Sequence, residues 1–200
     1  MVREDKLAFR FDCGAAWLNL LATRGRAFSP NPVERLATPA RLADWLERCE
    51  LSPARRPDQH DLDRARELRE TLRALALATV AERPPPADAV ADLADFLAEY
   101  DDPVKLAVAG RLRREPPATT AHALARIARQ AVDQMTGSDR LALKICPEDD
   151  CRGVFIDPPG RRRWCPSPAC ASRGRVRALR ARRSAAASET TEDSKSAPEQ

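Results

Sequence analysis

Four of the six cysteines cluster in the last third of the chain, spaced Cys146-x4-Cys151-x13-Cys165-x4-Cys170. Two close pairs flanking a loop let four thiolates converge on one tetrahedral ion with bonds of about 2.3 Å. A segment of roughly 40 residues is too small to fold on apolar burial alone, so a metal is the expected fastener. Thiolate softness favours zinc, with iron the minor alternative and reversible disulfides the competing reading. Four cysteine ligands would close the shell, so the expected ion is one structural Zn2+ with no open position for water. Cys13 and Cys49 stand apart and read as small buried apolar residues, or else as a pair or an oxidation sensor.

Charge changes at the same boundary. Residues 1–143 carry 22 basic and 22 acidic side chains, whereas 144–183 are net +7 and 184–200 net −3. A neutral body, a basic module and an acidic tail are three different physical objects. A polyanion would bind the middle one. Arginine outnumbers lysine 30 to 4 over the whole chain, so arginine abundance alone is weak evidence and local imbalance is the stronger signal.

The body reads as helical. Hydrophobic residues make up 43% of the chain but aromatics only 4%, so alanine and leucine must build the core, which favours helices. A short strand at Phe9–Phe11 before Gly14, and a helix after it, fit the first apolar run. Thr38 with Pro39 predicts a helix start, and Leu42, Trp45 and Leu46 follow on one face. From Asp58 or Asp61, apolar residues at spacings of three and four run to about Glu82. Ala87–Tyr100 is a further helix. Alternation of Val104, Leu106 and Val108, then Gly110 and Leu112, predicts a small β-hairpin over 103–117. Thr119 or Thr120 caps a helix to Thr136, and Ser138 a short lead-in toward Cys146. The tail from 184, rich in Ser, Ala, Glu and Thr, is expected to be disordered.

Within the module, Val154–Asp157 and Arg162–Cys165 read as two strands around Pro158-Pro159-Gly160. Ser172–Arg183 reads as a basic helix with Arg173, Arg177 and Arg180 on one face. Residues 146–183 resemble the CGNR zinc finger of bacterial regulators. The resemblance is carried by Phe155-Ile-Asp157, Arg162-Arg163-Trp164-Cys165 and Cys170-Ala171-Ser172-Arg173. Of the namesake Cys-Gly-Asn-Arg motif, Cys170 and Arg173 match; Ala171 and Ser172 replace Gly and Asn. The body resembles the ABATE domain that usually precedes this finger, through Phe9-Arg-Phe-Asp-Cys-Gly14, Leu20-Leu-Ala-Thr23, Glu34 to Trp45, and Arg66-Glu-Leu-Arg69. The resemblance implies a stress-induced transcription regulator.

The expected fold class is mainly α with a small β-hairpin. A helical domain, 1–143, precedes a treble-clef-like or zinc-ribbon-like four-cysteine finger, 144–183, ending in a basic helix; the acidic tail is 184–200. The expected function is DNA binding, with Arg161, Arg162, Arg163, Arg173, Arg175, Arg177 and Arg180 facing phosphates or guanine edges. RNA binding and a protein-interaction module are the alternatives. The body is expected to take a protein partner or a small-molecule effector. The only histidines, His60 and His122, read as surface residues, and no phosphate-binding loop or nucleophile elbow is present, so no enzyme activity is expected. A charged N-terminus without a signal-peptide core, and the lack of any apolar run long enough to span a bilayer, predict a cytoplasmic chain with no membrane partner.

Overall fold

The computed structural model describes residues 7–108, 110–157 and 159–193. The elements run in the order α1 (Ala16–Leu21), β1 (Arg24–Gly25), β2 (Val33–Glu34), α2 (Pro39–Arg48), α3 (Gln59–Val80) and α4 (Ala87–Glu99). Then come β3 (Leu106–Val108), β4 (Leu112–Arg114), α5 (Thr120–Thr136), a 3-10 turn (Ser138–Ala142), β5 (Leu143–Ile145), β6 (Val154–Ile156) and α6 (Pro168–Asp193). The fold is mainly α, with three separate two-stranded antiparallel sheets among the described residues. None of the helices among the described residues is long and apolar enough to cross a membrane.

Helix starts obey local chemistry. The Thr38 hydroxyl accepts from the Arg41 amide at 3.3 Å, with Pro39 supplying the first turn. Asp58 and Asp61 form a reciprocal capping box, each accepting from the other's amide, and Thr119 accepts from His122 N at 3.2 Å. These caps satisfy amides that have no partner inside the helix. The apolar stripes then meet: Trp17, Leu18 and Leu20 of α1, Trp45 of α2, Leu62 and Leu72 of α3 and Leu124 of α5 are all completely buried.

Buried arginines tie the smaller pieces to this frame. Arg69 of α3 grips Glu34 of β2 with both terminal nitrogens, at 2.8 and 2.7 Å, and also reaches Thr23 Oγ1 at 3.0 Å. Glu70 accepts from both Arg69 and Arg73 at 2.9 Å, and Arg73 also donates to the Leu21 carbonyl. At the far end, Asp102 receives Arg126 and Arg114, and the Arg126 hydrogen bond holds its carboxyl below the usual range. This network anchors the β3–β4 hairpin, whose Leu106, Val108 and Leu112 stay exposed. The hairpin lies where the alternation predicts it, with Val108 opposite Leu112.

Three expectations need correction. Phe9–Phe11 is not a strand: among the described residues no segment pairs with it. Its rings pack instead, Phe9 edge-on to Phe11 and Phe11 over Trp45, with Arg41 and Arg48 covering them. The metal-proximal hairpin is not 154–157 with 162–165. β6 pairs upstream with β5, Ile145 opposite Val154 and Leu143 opposite Ile156; Leu143 and Ile145 offer apolar side chains to the core, which Arg162 and Arg163 cannot. Finally, α6 continues past Arg183 to Asp193, through the alanine-rich Ser184–Ser188 stretch, where disorder is expected from composition. Alanine's high helix propensity explains the continuation; residues 194–200 of the tail lie outside the described residues.

Body and finger share one core. Leu143, Val154 and the fully buried Phe155 belong to the same apolar cluster as Trp17 and Leu62. The Ile156 amide donates to the Cys13 carbonyl at 3.0 Å. Gly14, at φ +104°, lies directly beneath Ile156, where a Cβ would come within 2.8 Å of the isoleucine Cβ.

Candidate metal centre and basic helix

Each cysteine reaches the centre from a different local structure. Cys146 follows β5, and its amide donates to the Gly153 carbonyl at 2.9 Å. Cys151 ends a tight turn in which the Glu148 carbonyl accepts from both Cys151 N and Arg152 N at 2.9 Å. Arg152 there adopts a left-handed φ of 43°. Cys165 follows Trp164, and Cys170 sits in the first turn of α6 with its amide on Ser167 O at 3.1 Å. The four sulfurs all lie within 4.8 Å of one another.

This donor set fits zinc. A tetrahedron with bonds of about 2.3 Å has edges of about 3.8 Å, and the Cys151 and Cys165 sulfurs are 3.8 Å apart. That spacing is far beyond a disulfide bond of about 2.05 Å, and all six cysteines are free. The crowding perturbs the thiols strongly. Hydrogen bonds from Cys151, Cys165 and Cys170 pull Cys146 far down from the ordinary thiol value, whereas Cys165 is driven up, chiefly by its hydrogen bond with Cys146. Four cysteines so placed can hold one zinc ion and leave it no vacant position.

Cys13 and Cys49 lie elsewhere. Burial pushes both thiols up to about 12, which leaves them protonated and unreactive at neutral pH.

The seven arginines expected at a nucleic-acid surface divide into two sets. Arg173 and Arg177 reach the acids of the 146–151 loop with their guanidiniums, while their side chains stay 37% and 64% exposed. Arg173 Nη2 meets Asp150 Oδ1 at 3.0 Å and Cys170 Sγ at 3.6 Å, and its Nε lies 3.5 Å from Glu148 Oε2. Arg177 Nη2 donates to Glu148 Oε1. Arg161, Arg162, Arg163, Arg175 and Arg180 are exposed and have no ion pair among the described residues. The Arg162 amide, rather than its side chain, is tied down, donating to Asp157 Oδ2 at 2.6 Å. That bond holds the Asp157 carboxyl below its usual range. Arg163 lies over the Trp164 ring at 5.2 Å, and Arg175 bonds back to the Ala171 carbonyl. From Arg175 to Arg183 every residue of α6 is exposed, on all sides of the helix.

Three residues that matter here escape sequence reasoning: Glu148, Asp150 and Gly174. Asp150 also pairs with Arg26 of the body at 3.0 Å, and its carbonyl accepts from Phe28 N. Gly174 lets the Trp164 indole lie against the helix backbone, where any side chain would collide with the ring. The signal that could have found the acids is the run Glu148-Asp149-Asp150 inside an otherwise basic module.

A helical body whose core closes over a four-cysteine hairpin, with a basic helix leading out of the cysteines, has the architecture of a zinc-finger protein. The chain belongs to the ABATE family, whose model, described as "Putative stress-induced transcription regulator", matches residues 14–138. The CGNR zinc finger model matches residues 142–183. Both are regulator and zinc-finger families rather than enzyme families. No curated relative matches the chain.

Proposed function

We propose that the chain is a DNA-binding transcription regulator. Cys146, Cys151, Cys165 and Cys170 hold a structural zinc, and the arginines around α6 contact the nucleic acid. One observation carries this reading: residues 158–188 contain nine arginines and no acidic residue, and α6 is exposed on all faces from Arg175 to Arg183. A helix with no apolar face against the body gains nothing from folding back, but it can lay guanidiniums along phosphates. Arg161, Arg162, Arg163, Arg175 and Arg180 form the contact set. Arg173 and Arg177 support it through their contacts to Glu148. The cytoplasm, where duplex DNA is accessible and thiols stay reduced, is the matching compartment.

The test uses the zinc-loaded full chain, because truncation before Leu143 would open the shared core. Binding to random duplex DNA is measured at two salt concentrations for the native protein and for the Arg175→Ala/Arg180→Ala variant. Native binding should weaken steeply with salt, and the slope should flatten by about 0.9 for each phosphate that is no longer neutralised. Equal binding by both proteins with zinc retained would remove α6 from the interface. Tighter binding to single-stranded or duplex RNA in the same assay would reassign the polymer.

A further inference from the structure

We infer that Glu148 is the positioning residue that aims the basic helix, and that the motif arginine Arg173, with Arg177, works as its clamp rather than as a phosphate contact. The Glu148 side chain is only 2% exposed, yet it lies in the loop between the first two cysteines. Three donors from outside that loop converge on it: Trp164 Nε1 at 3.2 Å, Arg173 Nε at 3.5 Å and Arg177 Nη2. A buried carboxylate left without partners would be costly, so these contacts hold the guanidinium ends on the acid even though the Arg173 and Arg177 side chains are 37% and 64% exposed. Arg173 and Arg177 are one helical turn apart on α6, so gripping both fixes the rotation of the helix about its axis as well as its tilt. Trp164, one of these three, also packs its ring against Gly174 of α6. Asp150 extends the same hub to the body by taking Arg173 and Arg26 together. The hub leaves the exposed arginines at a fixed angle to the metal centre.

A clamp and a phosphate contact predict opposite outcomes, and the DNA arm of the test rests on the proposed function. The proteins are the zinc-loaded full chain and its Glu148→Gln, Arg177→Gln and doubly substituted variants. Zinc content, hydrogen exchange of the 168–183 segment, and duplex affinity at two salt concentrations are measured. Glu148→Gln should retain one zinc. It should exchange the 168–183 amides about tenfold faster, the size expected for loss of a charge-assisted hydrogen bond. Duplex affinity should fall with an unchanged salt slope, and Arg177→Gln should lose a similar amount. The double variant should lose no more than either single one, the mark of two residues acting as a unit.

Unchanged exchange in Glu148→Gln would overturn the inference. So would a rise in affinity with a steeper salt slope, because freed Arg173 and Arg177 would then be reaching phosphates. Additive losses, with the Arg177→Gln slope reduced by about 0.9, would do the same. If Glu148→Gln loses its zinc, Trp164→Phe removes a single donor and should show the same accelerated exchange. A native chain that shows no salt-sensitive binding would sink the DNA reading, and the exchange arm would still decide the clamp.

Discussion

In the body, the Arg69 and Arg73 guanidiniums are almost completely buried, with side-chain exposures of 3% and 7%, and each meets carboxylates. Along the middle of α6, the side chains of Arg175, Arg180, Arg182 and Arg183 stand in solvent with no ion pair among the described residues. The two regions use one residue type for opposite ends. Around Arg69, a planar fork meets carboxylates bidentately and fastens a strand to a helix. Beyond Arg177, the same fork is left open to a partner. In a chain with 30 arginines, an arginine informs about binding only where its acid is missing. Arg173 and Arg177 mark the border, because they lie on the basic helix and remain partly or largely exposed, yet each meets the buried Glu148.

Three experiments probe this contrast, beginning with the largest effect. Stripping the metal with a strong chelator removes the finger's own fastener, which in small zinc modules contributes on the order of 10 kcal/mol. Because Phe155 lies in the common core, the whole chain should melt in one transition at least about 10 °C lower by circular dichroism. Two transitions with an unchanged upper one would mean that body and finger are independent units after all. Next in size, Arg69→Ala removes the ion-pair partner of Glu34, while Glu70 keeps Arg73, and should cost about 3 kcal/mol in urea unfolding, the lower end for a broken buried pair because Glu34 still reaches water. Arg180→Ala should stay within about 0.5 kcal/mol. Similar costs for the two would erase the distinction between fastening and binding arginines.

The smallest effect concerns the two thiols of the body. Burial holds Cys13 and Cys49 protonated up to about 12, above the ordinary value of 9.0. The folded state therefore keeps their protons longer than the unfolded chain does. Their contribution is intact below pH 9 and is lost as pH rises from there toward 12. Mass spectrometry after iodoacetamide treatment at pH 7.5 should find neither cysteine modified in native protein and both modified in urea. The fall in stability above pH 9 should be shallower in Cys49→Ala. Rapid native labelling of Cys13 would make it a reactive thiol and break the parallel between an inert body and a working finger.

Much of this is legible in the residues. The cysteine spacing announces the metal centre, Thr38-Pro39 and Asp58 announce helix starts, and the alternation around Gly110 announces a hairpin. What stays hidden depends on long-range choice. Val154–Ile156 can pair with either neighbour. Only the demand of the core for apolar partners selects Leu143–Ile145 over Arg162–Cys165. The pairing of Arg173 and Arg177 with Glu148 is invisible because a helical wheel shows which arginines share a face but not what that face meets. Glu148 gives no local signal of burial, since its partners Trp164, Arg173 and Arg177 all lie beyond the next cysteine in the sequence. The continuation of α6 beyond Arg183 reflects alanine propensity prevailing over a composition otherwise typical of unstructured tails.

The glycine beneath Ile156 bears on how freely such a finger could be exchanged between proteins. Gly14 stands at the start of the body, with nearly all of the helical domain between it and the strand it accommodates, and the Cys13 carbonyl beside it caps that strand's amide. A finger spliced onto a foreign scaffold would arrive without its socket. A scaffold offered a new finger would accept only one that brings a residue shaped like isoleucine to that spot. The two segments therefore form a matched joint, lock and key within one chain, and a hybrid would need both halves of that joint carried across together.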